Sequence, residues 1–123
     1  MENSGKLATG LNTTMFGCSS GFNIIIKIDC TYIGTFSGYS SIYGDNNTYI
    51  GALSGMFSSN SCNNTLIGYQ ANAYSYNHSF NNTIIGYKAG LPNINSIGNT
   101  DIVANTLKYA NNLNNNEIDG YKT

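Results

Sequence analysis

One histidine, three cysteines and four aspartates are the side chains here from which acid–base, nucleophilic or metal chemistry could be assembled. His78, the single histidine, lies in the stretch AYSYNHSFNN, among turn-forming and hydroxyl residues. There it reads as a solvated or locally hydrogen-bonded loop residue and not as a general base, which would need an oriented partner. Cys18, Cys30 and Cys62 are odd in number and show no C-x-x-C spacing, so neither a zinc site nor a closed disulfide framework is expected. They read as small, buried or half-buried hydrophobic residues. Asp29, Asp45, Asp101 and Asp119 recur at no fixed interval, which leaves a calcium roll and a catalytic carboxylate pair without support. No catalytic, cofactor or metal site is expected, and the protein reads as a non-enzyme.

What does recur is a threonine. Thr14, Thr31, Thr48, Thr65, Thr83 and Thr100 open segments reading TMFGCSSG, TYIGTFSG, TYIGALSG, TLIGYQAN, TIIGYKAG and TDIVANTL, at spacings of 17, 17, 17, 18 and 17 residues. Two residues on stands an apolar side chain, Phe16, Ile33, Ile50, Ile67, Ile85 or Ile102, followed in five units by Gly17, Gly34, Gly51, Gly68 or Gly86. The seventh position is small (Ser20, Ser37, Ser54, Ala71, Ala89), and the eighth is Gly21, Gly38, Gly55, Asn72 or Gly90. Asparagine pairs precede the threonine at 46–47, 63–64 and 81–82.

A period near seventeen with one short apolar segment per unit predicts an all-β solenoid, a β-roll or parallel β-helix of six to seven coils. Residues 1–112 form the repeat domain and 113–123 a tail or partial cap, with a helix over Asp101–Asn112 as the competing reading of the last coil. Thr and Ile two apart share one side of a strand. The expected arrangement buries the Ile stack and, with it, the threonines, as a ladder hydrogen-bonded within the sheet. Met15, Tyr32, Tyr49, Leu66, Ile84 and Asp101 would then form a second apolar face, covered by another chain. The eighth-position Gly or Asn suits a corner at positive φ. Asn47, Asn64 and Asn82 can ladder up the stack. The extra residue between Thr65 and Thr83 falls on a loop side that can bulge without disturbing the strand.

Composition narrows the class. Charged residues are only 9% with a formal net charge of −1, which removes the attraction that nucleic acid or an anionic membrane would require. No apolar run is long enough for membrane insertion or a signal-peptide core. Asparagine is about one residue in six, yet 41% hydrophobic content argues against disorder. A left-handed hexapeptide-repeat acyltransferase fits poorly. It needs an aliphatic at every sixth place, where this chain has Met56 and Cys62 after Ile50, and Ala73 and Ser79 after Ile67. Sequons at Asn12, Asn46, Asn63, Asn77 and Asn81 are mostly by-products of Asn-before-Thr turn chemistry.

The units TYIGTFSGYSSIYGDNN and TIIGYKAGLPNINSIGN resemble the "NTAIGYQAG" repeats of phage and giant-virus fibre proteins and bacterial surface proteins. They are similar, less closely, to head repeats of trimeric autotransporter adhesins. The resemblance covers residues 10–112. It implies a β-roll, often trimeric, serving as a fibre shaft or adhesin at an extracellular, cell or virion surface. The expected partners are copies of the chain itself, as an end-to-end polymer or homotrimer; Tyr39, Tyr69, Tyr74, Tyr76 and Tyr87 read first as sheet surface or interface, with stacking on surface glycans as the alternative. Seven coils give a rod only about 30 Å long, so end-to-end polymerisation into a filament is the leading expectation. A trimeric shaft or adhesin and an ice-binding solenoid are the alternatives.

Overall fold

In the computed structural model, residues 2–9, 11–25, 27–75, 78–90, 95, 97–102, 104, 115 and 117–118 are described below. They form a β-solenoid. Seven short strands, β1 (Thr14–Phe16), β2 (Thr31–Ile33), β3 (Thr48–Ile50), β4 (Thr65–Ile67), β5 (Thr83–Ile85), β6 (Thr100–Ile102) and β7 (Glu117–Ile118), stack in chain order into one parallel sheet. Thr lies over Thr and Ile over Ile from β2 to β6. The sheet runs on through β7, where Thr100 faces Glu117, inside the segment expected to be a tail. Thr100–Ile102 being strand, the first residues of the competing helix are extended; most of the rest of that reading lies outside the described residues.

Each coil bonds its neighbours at both ends of its strand. The Thr31 amide donates to Asn47 O at 2.8 Å, and the Gly34 amide to Phe16 O at 2.8 Å; the pattern repeats coil by coil to Thr83 and Gly86. The eighteen-residue unit keeps this register, with Thr65 opposite Thr83. Residues 2–9 form a further N-terminal coil, tied by the Gly5 amide to Ser20 O and the Ser19 amide to Glu2 O.

The side-chain orientation reverses the expectation. Tyr32, Tyr49, Leu66 and Ile84, the middle residues of their strands, are fully buried and form the core with Ile24, Cys30, Ala71 and Ala89. The Phe16 and Ile column instead faces outward, with Phe16, Ile33 and Ile102 exposed, and the threonines share that outer side. The reason lies across the coil. A side chain entering the narrow interior must meet something small, and the seventh and eighth positions supply it. A Cβ on Gly38 would sit 2.9 Å from the Tyr32 ring, and one on Gly55 2.5 Å from that of Tyr49. The middle column is thus the interior of this chain, not a face awaiting another.

Two columns set the spacing. The glycines after the strands pack backbone on backbone, and a Cβ on Gly51 would lie 2.7 Å from the Gly68 carbonyl carbon at a φ of 126°. Inside the opposite corner, Asn47, Asn64, Asn82 and Asn99 form a buried ladder. Each Oδ1 accepts from the backbone amide of the next asparagine and from its Nδ2, as at Asn47 with Asn64 (3.0 and 3.2 Å) and at Asn64 with Asn82 (3.0 and 3.1 Å). The residue before each asparagine turns the corner at positive φ (Asn46 57°, Asn63 59°, Asn81 59°). Serines at the seventh position add a crosspiece, Ser37 Oγ donating to Tyr49 O and Ser54 Oγ to Leu66 O.

Asn64→Ala removes the Oδ1 that accepts from the Asn82 backbone amide and the Nδ2 that donates to the Ser79 carbonyl in a buried ladder, and should cost about 2–4 kcal/mol in denaturant unfolding. Gly51→Ala forces backbone apart from backbone and should lower the melting temperature more than Ala52→Ser, the neighbouring half-buried substitution.

Candidate functional site

The chemistry-bearing side chains are scattered. His78 is exposed at a φ of 25°, its ring tilted 6.4 Å from that of Phe80. Cys18, Cys30 and Cys62 are unbridged; the Cys30 thiol donates to the Ile28 and Gly44 carbonyls, while Cys62 Sγ accepts from the Asp45 amide. The first two aspartates brace corners, Asp29 Oδ1 accepting from Asn12 Nδ2 at 3.0 Å and Asp45 Oδ1 from the Ile28 amide at 2.9 Å. Asp119 lies outside the described residues. No group of three or more His, Cys, Asp or Glu able to hold a metal occurs among the described residues.

Two charged groups point inward, and the repeat pattern did not single them out. Asp101 occupies the core position of β6 beneath Ile84. Burial pushes its carboxyl up to about 6, against a hydrogen bond from the Gly90 backbone that favours the charged form. Lys27 is fully buried, its Nζ donating to Ser41 Oγ at 2.9 Å, and Ser41 Oγ donates on to Ser58 O at 3.0 Å. Burial lowers its ammonium to about 8, while Cys30, Cys62 and Asp45 pull the other way. Beside it the phenols of Tyr32 and Tyr49, rings stacked at 5.0 Å, are raised chiefly by burial. A lysine near neutrality next to thiols and phenols would suit nucleophilic chemistry in a cleft. Here the ammonium is walled in by coils on every side, so its observable consequence is for stability.

The outer surface carries the order. Along the sheet the hydroxyls of Thr31, Thr48, Thr65, Thr83 and Thr100 form one column and the side chains of Phe16, Ile33, Ile50, Ile67, Ile85 and Ile102 a second, with Thr14 continuing the first. None of these threonine hydroxyls bonds to protein among the described residues, so the expected intra-sheet hydroxyl ladder is absent there. The strand residues of this face, from Thr14 to Ile85, include no charged side chain. The corner asparagines of four sequons, Asn12, Asn46, Asn63 and Asn81, are exposed beside it.

The surface aromatics stack on one another along the rod: Phe22 on Tyr39 at 5.2 Å, Phe57 on Tyr74 at 5.9 Å and Tyr69 on Tyr87 at 5.5 Å. Lys88 Nζ lies 5.2 Å over the Tyr87 ring. Each stack covers one face of each ring, while Tyr69, Tyr74 and Tyr87 stay exposed. Tyr76 lies outside the described residues.

Lys27 predicts a pH dependence with a definite sign. The unfolded chain holds this proton up to 10.5 and the folded chain only to about 8, so burial destabilises fully below pH 8 and the penalty fades as pH rises to 10.5. Lys27→Met should therefore stabilise the protein at pH 7 by on the order of 2 kcal/mol. The gap from the parent protein should close between pH 8 and 10.5, read as the difference between their denaturant midpoints. Against known protein families, curated proteins and solved structures, the chain finds no match.

Proposed function

We propose that this protein is a non-enzymatic structural element: a β-solenoid rod that extends end to end into a filament or fibre at an extracellular or virion surface. The observation that carries this reading is the purely translational contact between coils. Each coil from β2 to β5 offers the next the same amides and carbonyls in the same register, and from Asn47 to Asn99 the same asparagine ladder. Such a contact is heterologous and does not close on itself, so a coil from another copy can be added through the bonds that join coils within the chain. The interior supports the same reading, because among the described residues it is filled with side chains and Lys27 is fully buried there. The resemblance of TYIGTFSG and TIIGYKAG to viral and bacterial fibre repeats supports a setting outside the cell or on a particle.

Negative-stain electron microscopy of the full chain over a concentration series tests the reading. Long unbranched fibres of uniform width, growing with concentration, are the expected outcome. Discrete particles at every concentration, with a fixed trimeric mass by light scattering, would instead make the rod a trimeric shaft module.

A further inference from the structure

The outward threonine–isoleucine face is the most regular surface of the molecule, and nothing in a rod's self-assembly along its axis uses it. Its two columns repeat once per coil, at about 4.8 Å along the rod, and stand about 6.7 Å apart along each strand. Amide-to-carbonyl bonds at the two ends of the strands measure 2.7–2.8 Å from β2 to β5, so the face is stepped evenly. Threonine is stiff at χ1, so its hydroxyls are held in place before anything binds.

The occupant must match an array, not a point. A second protein chain is poorly served: six rungs by three residues give about 300 Å², against about 800 Å² per partner in a standard stable interface. A crystalline polysaccharide would call for aromatic platforms, and Phe16 is the one aromatic ring in these strands' outer columns. Nucleic acid and anionic membranes want positive charge, and the outer columns have none. What remains is a solid whose surface repeats in two dimensions and whose groups both donate and accept hydrogen bonds. The repeat of about 4.8 Å along the rod and the column separation of about 6.7 Å both lie near spacings between water oxygens on a prism face of hexagonal ice. Hydroxyls can join that lattice, while the methyl groups of threonine and isoleucine order water between them without competing for it.

We propose that the outer face of β1–β6 is an ice-binding surface, with Thr14, Thr31, Thr48, Thr65, Thr83 and Thr100 as the hydrogen-bonding column and the Ile column beside it as the apolar one. The proposal rests on the fold alone and is independent of filament formation; a longer stack would simply present a longer face.

Ice-affinity partition of the full chain, with nanolitre osmometry alongside, tests it. The parent protein should concentrate in a slowly grown ice fraction and open a gap between melting and freezing points. Thr65→Lys and, separately, Ile50→Lys, both outward and so compatible with the fold, should abolish both effects. Tyr43→Lys, at an exposed site away from the strands, should abolish neither. Circular dichroism establishes that each variant is folded, and the two face variants stand in for each other should one fail. Exclusion of the parent protein from ice to the level of a protein without ice affinity would overturn the proposal. Retention of partition by a folded face variant would do so too. So would a parent protein that sediments as an oligomer which Thr65→Lys dissociates, because the face would then be occupied by a second copy.

Discussion

A coil of seventeen residues closes around an interior barely one side chain wide, and its backbone amides and carbonyls point mostly along the rod and not across it. Those groups can be satisfied only by the coil above and the coil below. Vertical hydrogen bonding in strict register is therefore the constraint from which the rest of the structure follows. It admits one spacing, the distance between parallel strands, and forbids anything at a coil-to-coil contact that would hold the backbones further apart. The Gly17, Gly34, Gly51, Gly68 and Gly86 column meets that demand at one end of the strand, and the asparagine ladder locks it at the other.

The same constraint explains how the interior tolerates variety. Because register is held by backbone and by asparagine amides, the core column can run Met15, Tyr32, Tyr49, Leu66, Ile84, Asp101 without shifting the strands. Variation in size is absorbed across the coil, where small residues at the seventh and eighth positions face large ones. Variation in polarity is absorbed by local bonding: Lys27 through Ser41, and Asp101 through the Gly90 backbone. These two charges tilt stability in opposite directions with pH. The lysine favours alkaline conditions; the aspartate favours acid, since its penalty is absent below 3.8 and complete above about 6.

Function follows from what this construction leaves outside. Among the described residues the reactive side chains lie dispersed at corners and in the core, and the concavity lined by Leu7, Asn23, Ile25, Ser40 and Ile42 holds no histidine, cysteine or carboxylate. The stack offers instead repetition: a bonding pattern that recurs from coil to coil among the described residues, and a side on which each chemical group recurs at a fixed interval. Aromatic rings recur as well, stacked in pairs along the rod. The sheet differs in presenting hydroxyls and methyls in even columns, one of each per coil.

The sequence alone was enough to establish the period, the positions of β1–β6, the corners and the asparagine ladder, but not β7. Each of these is local or recurs at the coil spacing, so alignment of the chain with itself exposes it. The harmless eighteenth residue between Thr65 and Thr83 was legible for the same reason. What only the tertiary structure decided is which side of the strand is inside. Alternation separates two faces without saying which is buried, and the uniform isoleucine column suggested a core more strongly than a middle column running from methionine to aspartate. The deciding contacts lie across the coil, Gly38 against Tyr32 and Gly55 against Tyr49, between residues six apart whose proximity depends on how the loop folds back. The burial of Lys27 and the positive φ of Phe36 and Leu53 were hidden for a related reason. Neither residue type signals such a position, and closure of the coil imposes it.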